Sequence, residues 1–162
     1  TIEHWSWVGP HGWGKAFDEK IAQRIAENGI SVSPTINAWW KRFKNNMDRV
    51  ELVNQQYRTM RKLGIKLIAS TDAGIPNVYH HDLPKALGVF QYFADISPLE
   101  TLKSATSDCA HAIGLGSIAG QIKPGFSADL VLVEGDPLDD LATLEHIKGV
   151  ISRGELVRNP GL

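Results

Sequence analysis

The chain has 162 residues, a length that suits one ordinary domain and excludes a large multidomain assembly. Its 17 Lys and Arg residues nearly balance 18 Asp and Glu residues, so the net charge of -1 does not indicate a nucleic-acid partner. With 43% hydrophobic and 22% charged residues, the composition is that of a chain that buries a core. The longest uncharged apolar stretches are strand-sized, well short of the roughly 20 residues of a membrane helix.

The single cysteine, Cys109, cannot form a disulfide within the chain and cannot supply a cysteine-based zinc site. It lies on the apolar side of a predicted helix, which indicates a core residue. The first residues, Thr-Ile-Glu-His, contain neither an initiator methionine nor a secretion leader, and we expect them to continue from a preceding segment. The sequence therefore identifies no compartment, although the cytoplasm is slightly favoured.

The first 113 residues predict strands that alternate with helices. Strands are expected at residues 2–4, 30–35 and 65–70. Two helices between them have apolar sides formed by Phe17, Ile21 and Ile25, and by Val50, Val53, Tyr57 and Met60. A third helix is expected from about residue 81 to 93, and a fourth from Ser97 to Gly114 begins with a capping box and carries Leu99, Leu102, Cys109 and Ile113 on one side. This alternation favours an α/β fold with a parallel sheet and helices packed outside it.

The sequence after Gly114 predicts short strands and turns instead. Strands are expected at residues 116–118, 128–133 and 149–152, separated by turns that contain glycine and proline. We therefore place a domain boundary near residue 114. Residues 1–113 form the first unit, and residues 114–162 form a small β-sheet unit.

Polar residues at the ends of the predicted parallel strands are candidates for chemistry, because catalytic groups in such sheets lie at the carboxyl ends of the strands. His4 ends the first strand, and Asp72 ends the strand at residues 65–70. Imidazole and carboxylate are both ligands for a divalent metal, and an aspartate beside a bound water can take its proton. The same residue types more often cap helices or bond to loops, so spacing alone leaves both interpretations open.

Several short motifs resemble, in the same order, the landmarks of the metal-dependent amidohydrolase superfamily, and they point to its imidazolonepropionase-like and prolidase-like branch. They are Ile-Glu-His at 2–4, Pro-Thr at 34–35, Ser-Thr-Asp-Ala-Gly at 70–74, Ser-Ala-Thr-Ser at 104–107, Gly-Leu-Gly-Ser-Ile at 114–118, Pro-Gly-Phe-Ser-Ala-Asp-Leu-Val at 124–131 and Gly-Asp-Pro at 135–137. The resemblance covers nearly the whole chain. It implies a partial (β/α)8 barrel, strands six to eight, within residues 1–113, followed by a small β-sandwich segment at residues 114–162.

The resemblance also implies roles for the two strand-end residues. His4 matches the histidine that ends the sixth barrel strand and binds metal. Asp72 matches the aspartate that ends the eighth strand, contacts the metal and accepts a proton from the attacking water. The implied cofactor is a divalent metal, with zinc expected. The implied reaction is hydrolysis of a C–N bond in a small-molecule amide, cyclic amide or dipeptide-like substrate.

The sequence departs from the family pattern in its other metal ligands. The His-x-His pair of the first strand, the Lys or Glu of the fourth and the His of the fifth have no counterpart in the 162 residues. A complete barrel takes about 250 residues, so the chain looks like the C-terminal part of such an enzyme. A catalytic zinc usually has three protein ligands, and we therefore expect this chain alone to bind metal weakly or not at all.

Five more residues near the predicted strand ends are candidates for contact with a substrate: His11, Trp39, Tyr79, His80 and His81. His80 and His81 could also complete a metal site, although a solvated histidine pair is the more frequent situation. All five tryptophans precede residue 41, and those that follow strand ends either form the rim of a pocket or pack beneath loops.

Two functions are compatible with these features. The first is a metal-dependent hydrolase of C–N bonds, with His4 as a ligand and Asp72 as both ligand and proton acceptor. The second is a non-catalytic part of such an enzyme that self-associates, because an opened barrel leaves unpaired strand edges and uncovered apolar faces. The expected protein partner is another copy of the chain or a missing amino-terminal portion, and neither function predicts a nucleic acid or a membrane.

Overall fold

The structure, a computed structural model, describes residues 1–158, so the end of the predicted unit at 114–162 lies outside the described residues. The helices are α1 (Glu19–Glu27), α2 (Met47–Lys62), α3 (Leu83–Ala94), α4 (Pro98–Ala105) and α5 (Ser107–Ala112). The strands are β1 (Ile2–Glu3), β2 (Val32–Ser33), β3 (Leu130–Val133), β4 (Ile147–Ser152) and β5 (Glu155–Arg158). Short 3-10 helices cover Ala38–Phe43, His80–Asp82 and Leu141–Glu145. The chain is therefore α/β, as the sequence predicts.

The first part of the chain contains the predicted parallel arrangement. β1 pairs with β2 in parallel, with Ile2 opposite Val32. A single parallel bridge joins Val32 to Leu67, supported by a hydrogen bond from the Ile68 amide to the Val32 carbonyl, 2.9 Å. Residues 65–70 therefore run beside β2, but they do not form the full strand that the sequence predicts. On their other side, the Ala69 amide donates to the carbonyl of Ser104 in α4, 3.1 Å, which is a helix contact and not a strand ladder.

The core lies between these parallel segments and helices α1, α2 and α3. The side of α2 that the sequence marks as apolar is buried, as predicted, at Val50, Val53, Tyr57 and Met60. The apolar side predicted for α1 is only partly correct. Ala22 and Ile25 are buried, whereas Ile21 is 45% exposed, because the buried face of this helix is centred on positions 22 and 25.

The helix predicted between Ser97 and Gly114 is divided into α4 and α5. The predicted capping box is present, since the Ser97 amide donates to Glu100 Oε2 at 2.9 Å and the Glu100 amide donates to Ser97 Oγ at 3.2 Å. The helix is then interrupted at Thr106, whose φ of -125° and ψ of -93° are not helical. This break changes the phase of the side chains, so that Leu99 and Ile113 are 50% and 61% exposed and do not share one buried side.

The last part of the chain is an antiparallel sheet with the strand order β3-β4-β5. Arg153 and Gly154 connect β4 and β5 with φ values of 49° and 86°, the two positive angles that a type I′ hairpin turn requires. Residues 116–118, predicted as a strand, form turns instead, because Gly116 packs closely against the ring of His111 in α5. β5 was not predicted, and the division of the chain near residue 114 stays a prediction.

None of the helices within residues 1–158 combines the length and the apolar character that crossing a membrane requires.

An arginine at the start of α2 holds two loop segments near the strand ends. The guanidinium carbon of Arg49 lies 4.1 Å from the ring centroid of Trp13, 3.8 Å from that of Phe43 and 5.3 Å from that of Trp40. Burial lowers the pKa of Arg49 because it removes water from the guanidinium group. Stacking on the aromatic faces offsets part of the lost hydration energy. The contacts fasten the loop that contains His11, and the 3-10 helix at Ala38–Phe43, to α2.

Candidate active site

Three residues with the same unusual backbone conformation follow the three parallel segments. His4 follows β1, Thr35 follows β2 and Asp72 follows residues 65–70, and their φ angles are 54°, 51° and 58°. A residue other than glycine at positive φ is uncommon, and for a β-branched threonine it is an outlier that the surrounding structure must hold in place. The chain thus turns in the same way at the end of each segment, and the turns bring the three side chains together.

The structure places His4 beside Asp72, at the same end of the parallel segments, as the strand-end argument predicts. His4 Nε2 lies 3.7 Å from Asp72 Oδ1, and the two side chains are 61% and 36% exposed. This separation is too long for a hydrogen bond. Two ligand atoms of one tetrahedral zinc ion lie roughly 3.4 Å apart, so both the spacing and the donor types suit two ligands of one cation.

The second nitrogen of the His4 ring faces a residue that was not among the predicted site residues. Thr35 Oγ1 lies 3.2 Å from His4 Nδ1, within hydrogen-bond distance. The Pro-Thr pair at 34–35 was part of the family resemblance. The rule that marks strand-end residues as candidates would have included Thr35 as well. The ring of His4 is therefore bracketed by a hydroxyl on one nitrogen and a carboxylate on the other.

Polar contacts connect the three parallel segments directly below these turns. Ser33 of β2 is fully buried, and its hydroxyl is hydrogen-bonded to the hydroxyl of Ser70. Burial alone would raise the pKa of Glu3, but hydrogen bonds from Ser33 and Thr1 outweigh burial, and the pKa of Glu3 lies below its usual value. These contacts fix the relative positions of the segments that carry His4, Thr35 and Asp72.

A second series of hydrogen bonds links the loops above the pair. The side-chain amide of Asn37, which is nearly buried, donates to the carbonyl of Thr71 at 3.4 Å, and its oxygen accepts from the Trp39 amide at 3.1 Å. The indole nitrogen of Trp39 donates to the carbonyl of Asn77 at 2.9 Å. Trp39 is 48% exposed. Its ring is thus held in place beside the loop that starts at Asp72, with one side open to solvent.

The other substrate candidates lie on the exposed loop and 3-10 helix after Asp72, or in the loop after β1. Tyr79 is 56% exposed and stacks on His81, with ring centroids 5.4 Å apart and an angle of 9° between the ring planes. His81 Nε2 also lies 3.9 Å from Asp82 Oδ1. The side chains of His80 and His11 are exposed. Across residues 1–158, no group of three or more His, Cys, Asp or Glu side chains is placed to hold a metal ion. His80 and His81 therefore do not join His4 and Asp72 in a three-ligand group.

The other four tryptophans pack against the core and do not form the rim of a pocket. Trp5, Trp7, Trp13 and Trp40 are partly buried against the hydrophobic core, and Trp5 and Trp7 meet edge to face with ring centroids 4.4 Å apart. Cys109 is half-buried, and burial raises the pKa of its thiol, which suits a packing role.

Comparison with known proteins identifies relatives of similar sequence and structure. The chain is 32% identical over 106 residues to the imidazolonepropionase of Chloroflexus aggregans, a match that covers 62% of this chain and 24% of the relative. It is 31% identical over 71 residues to the ochratoxinase of Aspergillus niger, covering 41% of this chain and 15% of that relative. The crystal structure of a Xaa-Pro dipeptidase with methionine bound in its active site superposes with a TM-score of 0.70 at 25% identity, covering 98% of this chain and 39% of the other.

The chain therefore spans about a quarter or less of the two curated relatives and about two fifths of the dipeptidase. The sequence model of the Amidohydrolase family matches residues 8–157. That range takes in most of the chain, which belongs to the amidohydrolase family.

Proposed function

We propose that His4 and Asp72 belong to the metal centre of a hydrolase that cleaves C–N bonds in amides, cyclic amides or dipeptide-like substrates. The observation that carries this proposal is the 3.7 Å separation of His4 Nε2 and Asp72 Oδ1 at the ends of neighbouring parallel segments. The relatives support this proposal, because an imidazolonepropionase and a Xaa-Pro dipeptidase are enzymes that open C–N bonds. The match to the amidohydrolase family supports a metal-dependent reaction.

The same proposal gives the chain a place in a larger fold. Residues 1–113 would form strands six to eight of a (β/α)8 barrel with their helices, and the sheet β3-β4-β5 would be part of a small β-sandwich. The parallel order of β1, β2 and residues 65–70 supports this placement. So does the superposition of almost the whole chain on 39% of the dipeptidase.

His4, through Nε2, and Asp72, through its carboxylate, would hold a divalent metal, with zinc as the expected ion. Such a metal polarises a carbonyl and lowers the pKa of a bound water to about 7. Residues 1–158 supply two ligands, whereas a catalytic zinc usually has three, so the others would come from protein outside these residues. The Asp72 carboxylate would accept the proton that the attacking water loses, and its partial exposure beside His4 supports this role.

The substrate would contact side chains on the loops that follow the parallel segments. The fixed and half-exposed ring of Trp39 offers an apolar wall beside the loop that starts at Asp72. Tyr79 and His81 form a flat stacked surface on the same loop. His80 and His11 are exposed imidazoles that can donate hydrogen bonds to polar groups of a substrate.

A hydrolysis assay tests this function. The protein is incubated with zinc or manganese and with an Xaa-Pro dipeptide or a cyclic amide, both alone and joined to an amino-terminal barrel portion that carries the absent ligands. We expect slow cleavage, or none, by the chain alone, and cleavage that depends on metal once the ligand set is complete. Absence of cleavage in both forms would contradict the hydrolase and favour the non-catalytic alternative.

The unpaired edges support a second proposal, that the chain associates with another copy or with an amino-terminal portion. In the described part of the chain, β1 pairs with a strand on one side only, and Val131, Leu156 and Val157 of the antiparallel sheet are 58%, 59% and 64% exposed. Exposed edges and apolar faces of this kind are usually covered by a partner. We expect a dimer or larger oligomer with a contact well above about 1,000 Å². Light scattering that finds only a 17.8 kDa monomer at high concentration would contradict self-association.

A further inference from the structure

The ring of His4 is contacted through its two nitrogens by side chains from two different segments. Nδ1 lies 3.2 Å from Thr35 Oγ1, and Nε2 lies 3.7 Å from Asp72 Oδ1. The His4 side chain is 61% exposed, so packing alone does little to fix the rotation of its ring. A half-turn of the ring would place Cδ2 at the position of Nδ1 and Cε1 at the position of Nε2. Only one of the two ring orientations therefore presents a nitrogen to Asp72.

We propose that Thr35 is a positioning residue, whose hydroxyl holds the His4 imidazole in the orientation that directs Nε2 towards Asp72. This inference rests on the proposed function of the pair. The hydroxyl distinguishes the two orientations because it can form a hydrogen bond with Nδ1, whereas the flipped ring would present a C–H group to it. Histidines that bind metals almost always use their second nitrogen for such a hydrogen bond, which fixes both the ring and its tautomer.

A hydroxyl also suits this position chemically. A ring whose Nε2 holds a cation must carry its proton on Nδ1, and Thr35 Oγ1 can then accept that N–H. Without the cation, the proton can sit on Nε2, near the Asp72 carboxylate, and the same hydroxyl can donate to Nδ1 instead. Because a hydroxyl both donates and accepts, Thr35 keeps its contact in either state, and the ring orientation does not depend on which nitrogen is protonated.

The backbone around Thr35 is held in place independently of His4. Thr35 has a φ of 51°, a value that β-branched residues avoid. It follows Pro34, whose ring fixes its own φ, and precedes Ile36 and Asn37, which are 1% and 9% exposed. Asn37 is also bonded to the carbonyl of Thr71. The strained conformation therefore places the hydroxyl, and the buried residues after it keep it there, as expected for strain held at a functional position.

The test compares the wild type with Thr35→Ala and Thr35→Ser, which differ from each other by the hydroxyl alone. The first readout is the orientation of the His4 ring in the metal-free protein, measured by NMR as nuclear Overhauser effects from residue 35 to the ring protons. In the wild type and in Thr35→Ser we expect an effect to Hε1, which is next to Nδ1, and none to Hδ2. In Thr35→Ala we expect a ring that flips freely. A single unchanged orientation in Thr35→Ala, seen through effects from Asp72 to the ring, would overturn the inference.

The second readout is zinc affinity, measured by titration calorimetry in the form of the protein that is joined to an amino-terminal barrel portion and has a complete ligand set, because the chain alone is expected to bind zinc weakly. We expect Thr35→Ala to lower the affinity about 10-fold or more and Thr35→Ser to restore it, since partners of this kind contribute roughly 10–100-fold. Equal affinities in all three proteins would count against Thr35. A further outcome is that the wild type binds no zinc at His4 while the orientation of the His4 ring still depends on the Thr35 hydroxyl. That result would contradict the proposed metal centre and would leave the positioning role of Thr35 supported.

Alanine is expected to be tolerated at position 35, because it is less hindered than threonine at positive φ. If Thr35→Ala nevertheless failed to fold, Thr35→Gly would replace it, since glycine adopts this conformation without strain and also lacks the hydroxyl. Amide NMR spectra of each variant show whether the fold away from the strand ends is unchanged. The orientation readout then decides the inference with either substitution.

Discussion

Replacing Asp72 with asparagine is expected to lower kcat for hydrolysis of a C–N bond by about 10²–10⁴-fold, in the form of the protein with a complete ligand set. The amide cannot accept a proton from the attacking water, and it is a weaker ligand for a cation than a carboxylate. The side chain of Asp72 is 36% exposed, so the substitution leaves no buried charge unpaired and the fold should be retained. Steady-state kinetics with a Xaa-Pro dipeptide or a cyclic amide, at saturating metal, measure the effect.

Asp48→Asn is the matched control for this prediction. It removes the same charge from an exposed aspartate in the first turn of α2, outside the strand-end turns that carry His4 and Asp72. We expect its kcat to stay near that of the wild type. An Asp72→Asn variant as active as Asp48→Asn would exclude Asp72 as the proton acceptor.

Phe93→Ala is expected to have the largest effect on stability, a loss of about 3–5 kcal/mol in the free energy of unfolding. Phe93 of α3 has no exposed surface, and its ring centroid lies 5.3 Å from that of Trp40 in the 3-10 helix next to β2. Removing the ring leaves a cavity between these two elements that the packed core can only partly fill. Urea unfolding followed by circular dichroism gives the change in free energy.

Tyr92→Ala serves as the comparison, because it removes an aromatic ring from the adjacent position of the same helix. Tyr92 is 38% exposed, and its ring is approached by the ammonium group of Lys44 at 4.4 Å. We expect a smaller loss than that of Phe93→Ala, because more than a third of Tyr92 stays in contact with water in the folded protein, whereas Phe93 is completely buried. Equal losses for the two variants would mean that Phe93 does not fasten α3 to the strand-end elements.

The parallel part of the fold could be predicted because each of its elements carries a local signal. The stripe Val50, Val53, Tyr57 and Met60 repeats at helical spacing, and all four residues are buried in α2. The errors arise where tertiary contacts override such signals. The helix break at Thr106 and the close packing of Gly116 on His111 depend on how α5 packs in the folded chain. Neither feature can be recognised from the spacing of residues in the sequence.

The candidate site was also predicted only in part. The rule that polar residues at the ends of parallel strands converge predicted that His4 and Asp72 would lie close together. Thr35 was missed although it also follows a strand, because a hydroxyl is common at turns and nothing in the sequence reveals a φ of 51° or a contact with His4 Nδ1. The hydrogen bond from Trp39 to Asn77, 38 positions apart, could not be predicted either.

Whether His4 and Asp72 hold one metal ion is tested by zinc binding to the wild type, His4→Ala, Asp72→Asn and the double variant, with His146→Ala as the control. Equilibrium dialysis is expected to show weak binding to the wild type and to His146→Ala, because residues 1–158 offer two ligands that face each other and no group of three. Each single substitution should abolish that weak binding, and the double variant should be no worse, since both residues serve one ion. Binding that persists unchanged in His4→Ala and Asp72→Asn would show that the pair does not hold the metal.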